Sequence, residues 1–346
     1  MAKTTIEWTA TYNDDGTVIP GFTFNPWVGC QKVSNGCKFC YADTLMTRKT
    51  RWANTWGPPE TSERIRTSEA NWRKPIKWNK EAGERGVRYK VFCSSLADVF
   101  EDNPQVDTWR LDLFRLIFDT PNLDWLLLTK RPENVILFMD DACWPESGCP
   151  MFGADESLPA NVWMGTSVED QEMAEKRIPD LLKIPVRIKF LSAEPLLGQI
   201  NLEGLAYGAA GPAWVISRNR PLLDWVIVGG ESGPNARPMH PYWVYSLKEQ
   251  CLKAGIPFFF KQHGEWFPEA PVTANAGFTL RASRWAAIDI DGTVVDYDDF
   301  ENLNQVSDEA WFMGWLGKRA AGRLLWGREW NDFPLSAVGR LCRGAI

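Results

Sequence analysis

Three cysteines lie close together near the amino terminus, in the stretch Gly29 to Ala42, which reads GCQKVSNGCKFCYA. Cys30, Cys37 and Cys40 have the spacing C-x6-C-x2-C. Three thiolates can hold three irons of a 4Fe–4S cluster and leave the fourth iron without a protein ligand. An iron with an open position can bind a small molecule and pass it an electron. The stretch therefore predicts a redox-active iron–sulfur site.

Other uses of the three cysteines stay open. A structural zinc site normally needs four ligands, and the chain's only histidines, His240 and His263, are remote in sequence. A redox pair formed by Cys37 and Cys40 would leave Cys30 unused. Unliganded thiols are the remaining alternative. The spacing favours the cluster over zinc with a remote fourth ligand, and zinc over unliganded thiols.

The run Cys37 to Ala42 resembles the cluster loop of radical S-adenosylmethionine (SAM) enzymes. Those enzymes commonly have the spacing C-x3-C-x2-C with an aromatic residue before the last cysteine, and Phe39 occupies that place here. The first gap in this chain is six residues, which matches a phage-associated group of radical SAM-like proteins. Further segments resemble the same group: Ser192–Gly198, Val228–Gly233, Phe258–Trp266 and Gly317–Pro334.

The resemblance implies two cofactors, a 4Fe–4S cluster and SAM, together with a one-electron donor. The reduced cluster would cleave SAM to methionine and a 5′-deoxyadenosyl radical, and the radical would abstract hydrogen from a substrate. Cys30, Cys37 and Cys40 would ligate the cluster. The protein would orient the cofactors and exclude water and oxygen.

The resemblance, combined with the polar residues that follow predicted strands, assigns roles to further side chains. Phe39 would lie near the adenine, and Ser94 and Ser95 stand where the family usually places a Gly-Gly-Glu motif that contacts the methionyl amine. That motif is absent at this position of the chain. Ser167 or Glu169 would bond the ribose hydroxyls. The remaining residues predicted to line the site are Glu194 for SAM, and Lys130, Arg131, Glu231, Arg237, Lys261 and His263 for the substrate.

Short apolar runs alternate with helical patterns through most of the chain, which predicts an α/β fold with a parallel sheet. The predicted strands are 22–28, 89–94, 123–129, 162–166, 187–191, 225–228 and 257–260, and the predicted helices are 41–51, 105–119, 133–140, 168–183 and 240–254. Radical SAM enzymes typically use a partial barrel of six such units. We therefore expect a partial or nearly closed TIM-type (β/α) barrel of six to seven units, with a polar group after every strand facing one pocket.

The predicted barrel domain covers residues 1–265, and residues 266–346 form a C-terminal extension. Two stretches, 141–160 and 202–222, are predicted loops that interrupt the barrel pattern. In the extension, the Asp291-Gly292 pair predicts a small hairpin, and residues 308–316 predict a helix. Cys143 and Cys149 lie in the first of the two loops, and an auxiliary metal site there is the less favoured interpretation.

A basic, tryptophan-rich segment at about 48–88 is predicted to be an insertion in the barrel. Basic side chains can hold phosphates while aromatic faces stack on bases, so the segment favours a nucleotide or nucleic-acid substrate. Packing of these tryptophans on the body of the protein is the competing interpretation. A non-catalytic, metal-stabilised nucleic-acid-binding protein is the alternative function.

The net charge of −6 argues against broad non-specific binding to nucleic acid and leaves room for a local basic groove. The first residues lack the apolar core of a signal peptide, and no run is long and apolar enough to span a bilayer. We therefore expect a cytoplasmic protein with reduced thiols and no membrane partner.

Overall fold

The computed structural model describes residues 4, 6–12, 17–48, 54–140, 158–203, 206–208, 211–213, 222–274, 281–296 and 305–334. The chain divides into two compact units. The first comprises Met1–Ser192 with Gly233–Asn235, and the second comprises Ala193–Ser232 with Ala236–Ile346. None of the helices in these described ranges combines the length and the apolar character that a membrane crossing requires.

The first unit is built on a parallel β-sheet with helices between its strands. Its strands are β1 (Thr11–Tyr12), β2 (Val18–Ile19), β3 (Phe22–Thr23), β4 (Trp27–Val28), β5 (Ile65–Arg66), β6 (Tyr89–Cys93), β7 (Leu123–Thr129), β8 (Val162–Ser167) and β9 (Ile188–Ala193). Its helices are α1 (Tyr41–Thr47), α2 (Glu69–Trp72), α3 (Lys74–Arg85), α4 (Asp107–Phe118), α5 (Pro132–Asp140) and α6 (Gln171–Lys183). The parallel strands pair in the order β9-β8-β7-β6-β3.

The strands of this sheet read as nearly continuous apolar runs because helices cover them. Val91, Leu127, Met164 and Phe190 are fully buried in β6, β7, β8 and β9. Continuous apolar runs are typical of parallel sheets buried on both faces. The carboxyl ends of these strands lie at one edge of the sheet, where the loops that carry the cysteines and the charged residues begin.

The second unit combines a parallel strand pair with an antiparallel sheet. Its strands are β10 (Ala206–Gly208), β11 (Gly211–Ala213), β12 (Trp225–Gly229), β13 (Phe258–Gln262), β14 (Trp266–Pro271), β15 (Trp285–Ile288), β16 (Val294–Asp296) and β17 (Trp311–Trp315), and its helices are α7 (Pro241–Ala254) and α8 (Lys318–Ala321). Strands β12 and β13 are parallel. The antiparallel sheet has the order β14-β17-β15-β16.

The prediction of an α/β fold with parallel strands is confirmed, since each of the seven predicted strands has a parallel strand within its range. The first predicted strand, 22–28, is wrong in detail. It is split into β3, which joins the parallel sheet, and β4, which pairs antiparallel with β5. Pro26 lies between the two parts, and a proline cannot donate a backbone hydrogen bond to a sheet. The barrel closure and the domain boundary near residue 265 stay predictions.

Three predictions for local structure need correction, and one is confirmed. The helix predicted at 308–316 is wrong, because β17 pairs with β14 and β15 there. The loop predicted at 202–222 contains the antiparallel pair β10 and β11. Helix α6 begins at Gln171, with the Asp170 carboxylate accepting from the Met173 backbone N–H at 2.9 Å, rather than at residue 168. The Asp291-Gly292 turn between β15 and β16 is confirmed.

Trp72 and Trp78 of the basic segment pack on the body of the protein, so their rings are not available for stacking on bases. Both rings are buried, with exposed fractions of 7% and 2%. Trp78 stacks on Phe22 with ring centroids 4.3 Å apart, and Trp72 packs edge-on against Phe24 at 5.5 Å. These rings join α2 and α3 to the sheet, so the competing interpretation of packing is confirmed for both. Cys143 and Cys149 lie outside the described residues.

A buried lysine in this core predicts a pH-dependent stability. Burial lowers the pKa of Lys90 from 10.5 to about 8, although Asp124 opposes the shift. Below about pH 8 the lysine is protonated in both folded and unfolded chains, and the folded state bears the cost of burying the charge. As the pH rises from about 8 to 10.5, the folded state loses its proton first, so stability increases. The difference between 10.5 and about 8 corresponds to about 3 kcal/mol.

The measurement is denaturant unfolding of the wild-type protein and Lys90→Met between pH 7 and 10.5. We expect the stability of wild type relative to the variant to increase by about 3 kcal/mol over that range. Groups elsewhere titrate equally in both proteins and cancel in the comparison. A difference between the two proteins that stays constant with pH contradicts this prediction.

Candidate functional site

The cysteine loop of the first unit starts directly after β4 and is fixed at its first residue. Gly29 has φ +118, and a Cβ there would lie 2.5 Å from the Thr55 carbonyl oxygen and 2.9 Å from Cδ of Arg64. Only glycine combines this conformation with such close packing. The Cys30 backbone N–H then donates to the Thr55 carbonyl at 3.2 Å. The backbone at the start of the loop is therefore held by the segment that contains Thr55 and Arg64.

A buried ion pair between Arg64 and Glu101 supports the start of the cysteine loop. Arg64 donates from Nε to Glu101 Oε2 at 2.8 Å and from Nη2 to Glu101 Oε1 at 2.6 Å. Their side chains are 0% and 1% exposed. The Gln31 backbone N–H donates to the same Glu101 Oε1 at 3.0 Å. A bidentate pair of this kind positions Glu101 rigidly, and Glu101 in turn positions the residue after Cys30.

A second charged pair contacts the sulfur of Cys30. Arg131, which follows β7, donates from Nη1 to Asp98 Oδ2 at 2.8 Å and lies 3.9 Å from Cys30 Sγ through the same nitrogen. Its Nη2 donates to the Gln31 carbonyl at 2.8 Å. The ends of β6 and β7 thus hold the first cysteine of the loop through one guanidinium group.

Two opposing effects set the pKa values of Cys30 and Asp98: burial disfavours their charged forms, and the nearby Arg131 charge favours them. Burial raises the pKa of the Cys30 thiol to about 12, although the Arg131 charge acts to lower it. Burial acts to raise the pKa of Asp98, but Arg131 and the hydrogen bonds from Thr129 and Lys130 hold it below its usual value. At neutral pH Asp98 is therefore a carboxylate and Cys30 a protonated thiol that would release its proton on binding a metal.

The middle of the loop is held by Glu169, which follows β8. Its Oε1 accepts from the Gly36 backbone N–H at 3.1 Å, and its Oε2 pairs with Arg177 of α6 at 2.8 Å. A Cβ at Gly36 would lie 2.9 Å from Glu169 Cδ, so the loop approaches the carboxylate more closely than a larger residue allows. Burial acts to raise the pKa of Glu169, but Lys130 and Arg177 lower it below its ordinary value. Glu169 therefore holds the loop as a carboxylate.

The other two thiols have weaker polar partners. Ser34 Oγ lies 3.9 Å from Cys37 Sγ. Cys40 precedes the first turn of α1; burial raises the pKa of its thiol, and backbone N–H groups of Asp43 and Ala42 oppose the shift. Among the described residues, no group of three Cys, His, Asp or Glu side chains has the arrangement of a metal site.

The three cysteines supply the donor chemistry of an iron–sulfur cluster, although in the described structure their side chains are not grouped as a metal site. Three thiols on one anchored loop are the donors that iron–sulfur clusters take. The thiols of Cys30 and Cys40 are protonated at neutral pH, since burial raises the pKa of each. Assembly would therefore need loss of these protons and convergence of the side chains on a loop whose backbone is already fixed.

The serines predicted to contact SAM lie at the carboxyl end of β6. Asn25 contacts both: Ser94 Oγ donates to its Oδ1 at 3.2 Å, and its Nδ2 donates to Ser95 Oγ at 3.0 Å. The Tyr41 hydroxyl donates to the Ser95 carbonyl at 3.0 Å. Ser167 ends β8 and its carbonyl accepts from Arg177 at 2.8 Å. Phe39 is half-buried, with the Lys38 ammonium 5.2 Å from its ring centroid.

The predicted site residues of the second unit form their own polar network. Lys261 Nζ lies 2.7 Å from both carboxylate oxygens of Glu194, and Gln262 donates to Glu194 Oε1 at 3.0 Å. Arg237 pairs with Glu231 at 2.6 Å. His263 contacts the Leu324 carbonyl through Nε2 at 2.9 Å, and burial lowers the pKa of its ring. A single pocket shared by both units stays a prediction.

Among the four basic residues predicted to bind an anionic substrate, Lys130 differs from the others. Arg131, Arg237 and Lys261 are each paired with a carboxylate, at 2.8, 2.6 and 2.7 Å. Within the described part of the chain, the Lys130 ammonium has no carboxylate partner within 4.0 Å. Its charge nonetheless opposes the rise that burial causes in the pKa of Cys40, and it helps to lower the pKa of Glu169. Among these four predicted residues, Lys130 is therefore the one that forms no ion pair within the described part of the chain.

Several residues that build the site were assigned no specific role from the sequence. Asp98 and Glu101 follow β6 at positions where functional carboxylates are expected, and that placement was a usable signal. Arg64 and Arg177 had no such signal. Arg64 lies 37 residues from Glu101, so only the folded chain brings those two together. Arg177 lies eight residues from Glu169, on the helix that follows it.

The chain belongs to the family described as "Protein of unknown function (DUF5131)", whose model matches residues 3–334. No curated protein matches the chain. No solved structure matches it either.

Proposed function

We propose that this member of the DUF5131 family is a radical SAM enzyme that holds a 4Fe–4S cluster on Cys30, Cys37 and Cys40. The observation that carries the proposal is the cysteine loop itself. It follows the first strands of a parallel α/β sheet, and residues after β6, β7 and β8 fix its backbone through Glu101, Arg131 and Glu169. Functional residues of α/β barrels gather at this edge of the sheet. A partial barrel formed by all seven parallel strands is part of the proposal.

The protein's own residues would bind and orient the reactants. When bound, the cluster supplies one electron that splits the carbon–sulfur bond of SAM into methionine and a 5′-deoxyadenosyl radical. The half-buried ring of Phe39 offers a face to the adenine, and Ser94 and Ser95 offer hydroxyl groups to the methionyl amine. Ser167 or Glu169 would bond the ribose hydroxyls, and Glu194 is a further SAM contact. The positions of the serines and of the two glutamates at strand ends support these roles, and the position of Phe39 beside Cys40 supports its own.

The deciding experiment is anaerobic incubation of the reconstituted protein with SAM and dithionite. We expect 5′-deoxyadenosine and methionine in equal amounts, because each cleavage yields one of each. A matched incubation with Cys251→Ala should behave as wild type, because Cys251 is buried in α7 of the second unit. Iron-loaded protein that forms no 5′-deoxyadenosine overturns the assignment.

The substrate that we propose is a nucleotide or nucleic acid. Lys130 lies beside the cysteine loop and forms no ion pair with the residues that the structure describes. Exposed basic side chains are also present at Arg73, which precedes α3, and at Lys74 and Lys77 within it. Basic side chains bind phosphates and release counterions from nucleic acid. The second candidate function, a metal-stabilised nucleic-acid-binding protein without catalysis, rests on the same basic side chains. A brown protein with about four irons supports the enzyme, whereas a colourless protein with one zinc supports the binding module.

Salt dependence tests the proposed contact between α3 and phosphates. Replacing Arg73, Lys74 and Lys77 together by Ala should lower the slope of log affinity against log salt by up to about three, because each lost phosphate contact releases fewer counterions. The measurement is fluorescence anisotropy with a labelled single-stranded oligonucleotide. A control triple variant, Lys176→Ala with Lys183→Ala and Arg187→Ala, removes equal charge from an exposed face at α6 and the residues after it. Equal slopes for both triple variants would exclude α3 as the contact.

A further inference from the structure

Arg131 contacts the cysteine loop at two points, the sulfur of Cys30 and the backbone carbonyl of Gln31. Its Nη1 lies 3.9 Å from Cys30 Sγ and 2.8 Å from Asp98 Oδ2, and its Nη2 donates to the Gln31 carbonyl at 2.8 Å. One guanidinium group thus contacts both the sulfur of a predicted cluster ligand and the backbone of the next residue. The planar fork of arginine can make these contacts at once, whereas a lysine ammonium cannot match that geometry.

The Arg131 guanidinium is itself held in place by Asp98, whose carboxylate is fixed by three hydrogen bonds. Its carboxylate partner, Asp98, accepts from the Thr129 hydroxyl at 2.7 Å, from the Lys130 backbone N–H at 3.1 Å and from the Phe100 backbone N–H at 3.0 Å. The Arg131 backbone N–H donates to Thr129 Oγ1 at 2.9 Å. With side-chain exposures of 8% each, Asp98 and Arg131 form a pair with little freedom to move. The cation therefore keeps its distance from the Cys30 sulfur.

Cys30 differs in this respect from the other two cysteines of the loop. The sulfur of Cys37 lies near the Ser34 hydroxyl, and the sulfur of Cys40 accepts hydrogen bonds from backbone N–H groups. Hydrogen bonds and positive charge at a cluster sulfur stabilise the reduced, more negative cluster and so raise its reduction potential. The three ligands are therefore not equivalent, and Cys30 is the one whose sulfur a buried cation contacts.

We propose that Arg131 is a positioning residue that anchors the Cys30 end of the loop and, through its contact with the Cys30 sulfur, raises the reduction potential of the cluster. The effect on the reduction potential rests on the proposed function. The anchoring of the loop concerns the chain alone and can be tested in the metal-free protein.

The experiment compares wild type with Arg131→Met, Arg131→Lys and Arg177→Met. Because Arg131→Met leaves the buried Asp98 carboxylate unpaired, the double variant Asp98→Asn with Arg131→Met is measured beside it. Arg177→Met is the matched control: it also removes a buried guanidinium that is paired with a carboxylate beside the loop, but Arg177 contacts no cysteine sulfur in the described structure. The readouts are hydrogen exchange of residues 29–40 in metal-free protein and a redox titration of reconstituted protein followed by electron paramagnetic resonance.

We expect faster exchange, by tenfold or more, at residues 30–32 in both the Arg131→Met single variant and the double variant. In the loaded protein, the ratio of reduced to oxidised cluster at a fixed potential should fall about tenfold in these variants, equivalent to about 59 mV for one electron. Arg131→Lys should restore part of the potential because it keeps the charge. Arg177→Met should shift the potential less than Arg131→Met does, because Arg177 contacts no cysteine sulfur in the described structure.

Wild-type exchange at residues 30–32 in both the single and the double variant overturns the anchoring role. A potential that moves equally in Arg131→Met and Arg177→Met overturns the redox role, because the effect would then not depend on contact with the sulfur. If wild-type protein takes up iron but forms no 5′-deoxyadenosine, the proposed enzyme fails and both readouts still decide the role of Arg131. If it takes up no iron, the redox role is overturned with the cluster, and hydrogen exchange alone decides the anchoring role.

Discussion

Replacing Cys30, Cys37 or Cys40 singly by Ala should abolish the iron–sulfur absorbance of anaerobically reconstituted protein, or leave a damaged cluster that does not cleave SAM. A cluster on three thiolates has no spare protein ligand, so the loss of one leaves two irons without a cysteine. The expected result is therefore a loss of function in all three variants rather than a graded decrease. The measurements are the visible absorption spectrum, iron content per chain and formation of 5′-deoxyadenosine.

Two cysteines outside the loop provide controls for this result. Cys93 at the end of β6 and Cys251 in α7 are both buried, and burial raises the pKa of each thiol. Cys93→Ala and Cys251→Ala should keep the iron content and absorbance of wild type, apart from a modest loss of stability. Full SAM cleavage by any one of the three loop variants would refute the three-cysteine assignment. Zinc uptake that depends on the same residues would favour the binding module instead.

Replacing Glu101 by Gln should destabilise the folded protein by about 3–5 kcal/mol, because it leaves the Arg64 guanidinium buried without a counter-charge. Arg64 and Glu101 are 0% and 1% exposed, so water cannot replace the lost carboxylate. The same substitution weakens the bond from the Gln31 backbone N–H to Glu101 Oε1, which measures 3.0 Å in the wild type. Denaturant unfolding should show the loss of stability, and reconstitution should show a lower iron content.

A double variant separates the charge from the packing in this prediction. Arg64→Met with Glu101→Met removes both charges and keeps apolar side chains of similar length, so it should recover much of the stability lost in Glu101→Gln. Lys80→Ala provides the exposed comparison, because Lys80 and Glu84 are 78% and 66% exposed and such pairs contribute about 0–1 kcal/mol. An equal, small effect for Glu101→Gln and Lys80→Ala would contradict a structural role for the buried pair.

The sequence by itself determined the features that depend on neighbouring residues. The cysteine spacing lies within eleven residues, Cys30 to Cys40, and needs no fold to be recognised. The parallel strands were predicted because burial on both faces requires a continuous apolar run, as in Leu123–Thr129. Polar residues after each strand were predicted as well, because a loop begins where a buried strand ends and loop residues are commonly polar. At Trp311–Trp315 the sequence pattern predicted a helix, and only pairing with β14 and β15 shows that these residues form a strand.

Only the tertiary structure decided which side chains meet. Glu169 holds Gly36 across 133 residues of chain, and Arg64 pairs with Glu101 across 37. The sequence presents Trp72 and Trp78 as aromatic residues among basic ones, a pattern shared by base-stacking surfaces and by helices that pack on a sheet. Their burial against Phe24 and Phe22 distinguishes the two. Likewise four basic residues looked equivalent until three of them were found in ion pairs and Lys130 was not. Charge and aromaticity are properties of a residue, whereas pairing and burial depend on what the fold brings beside it.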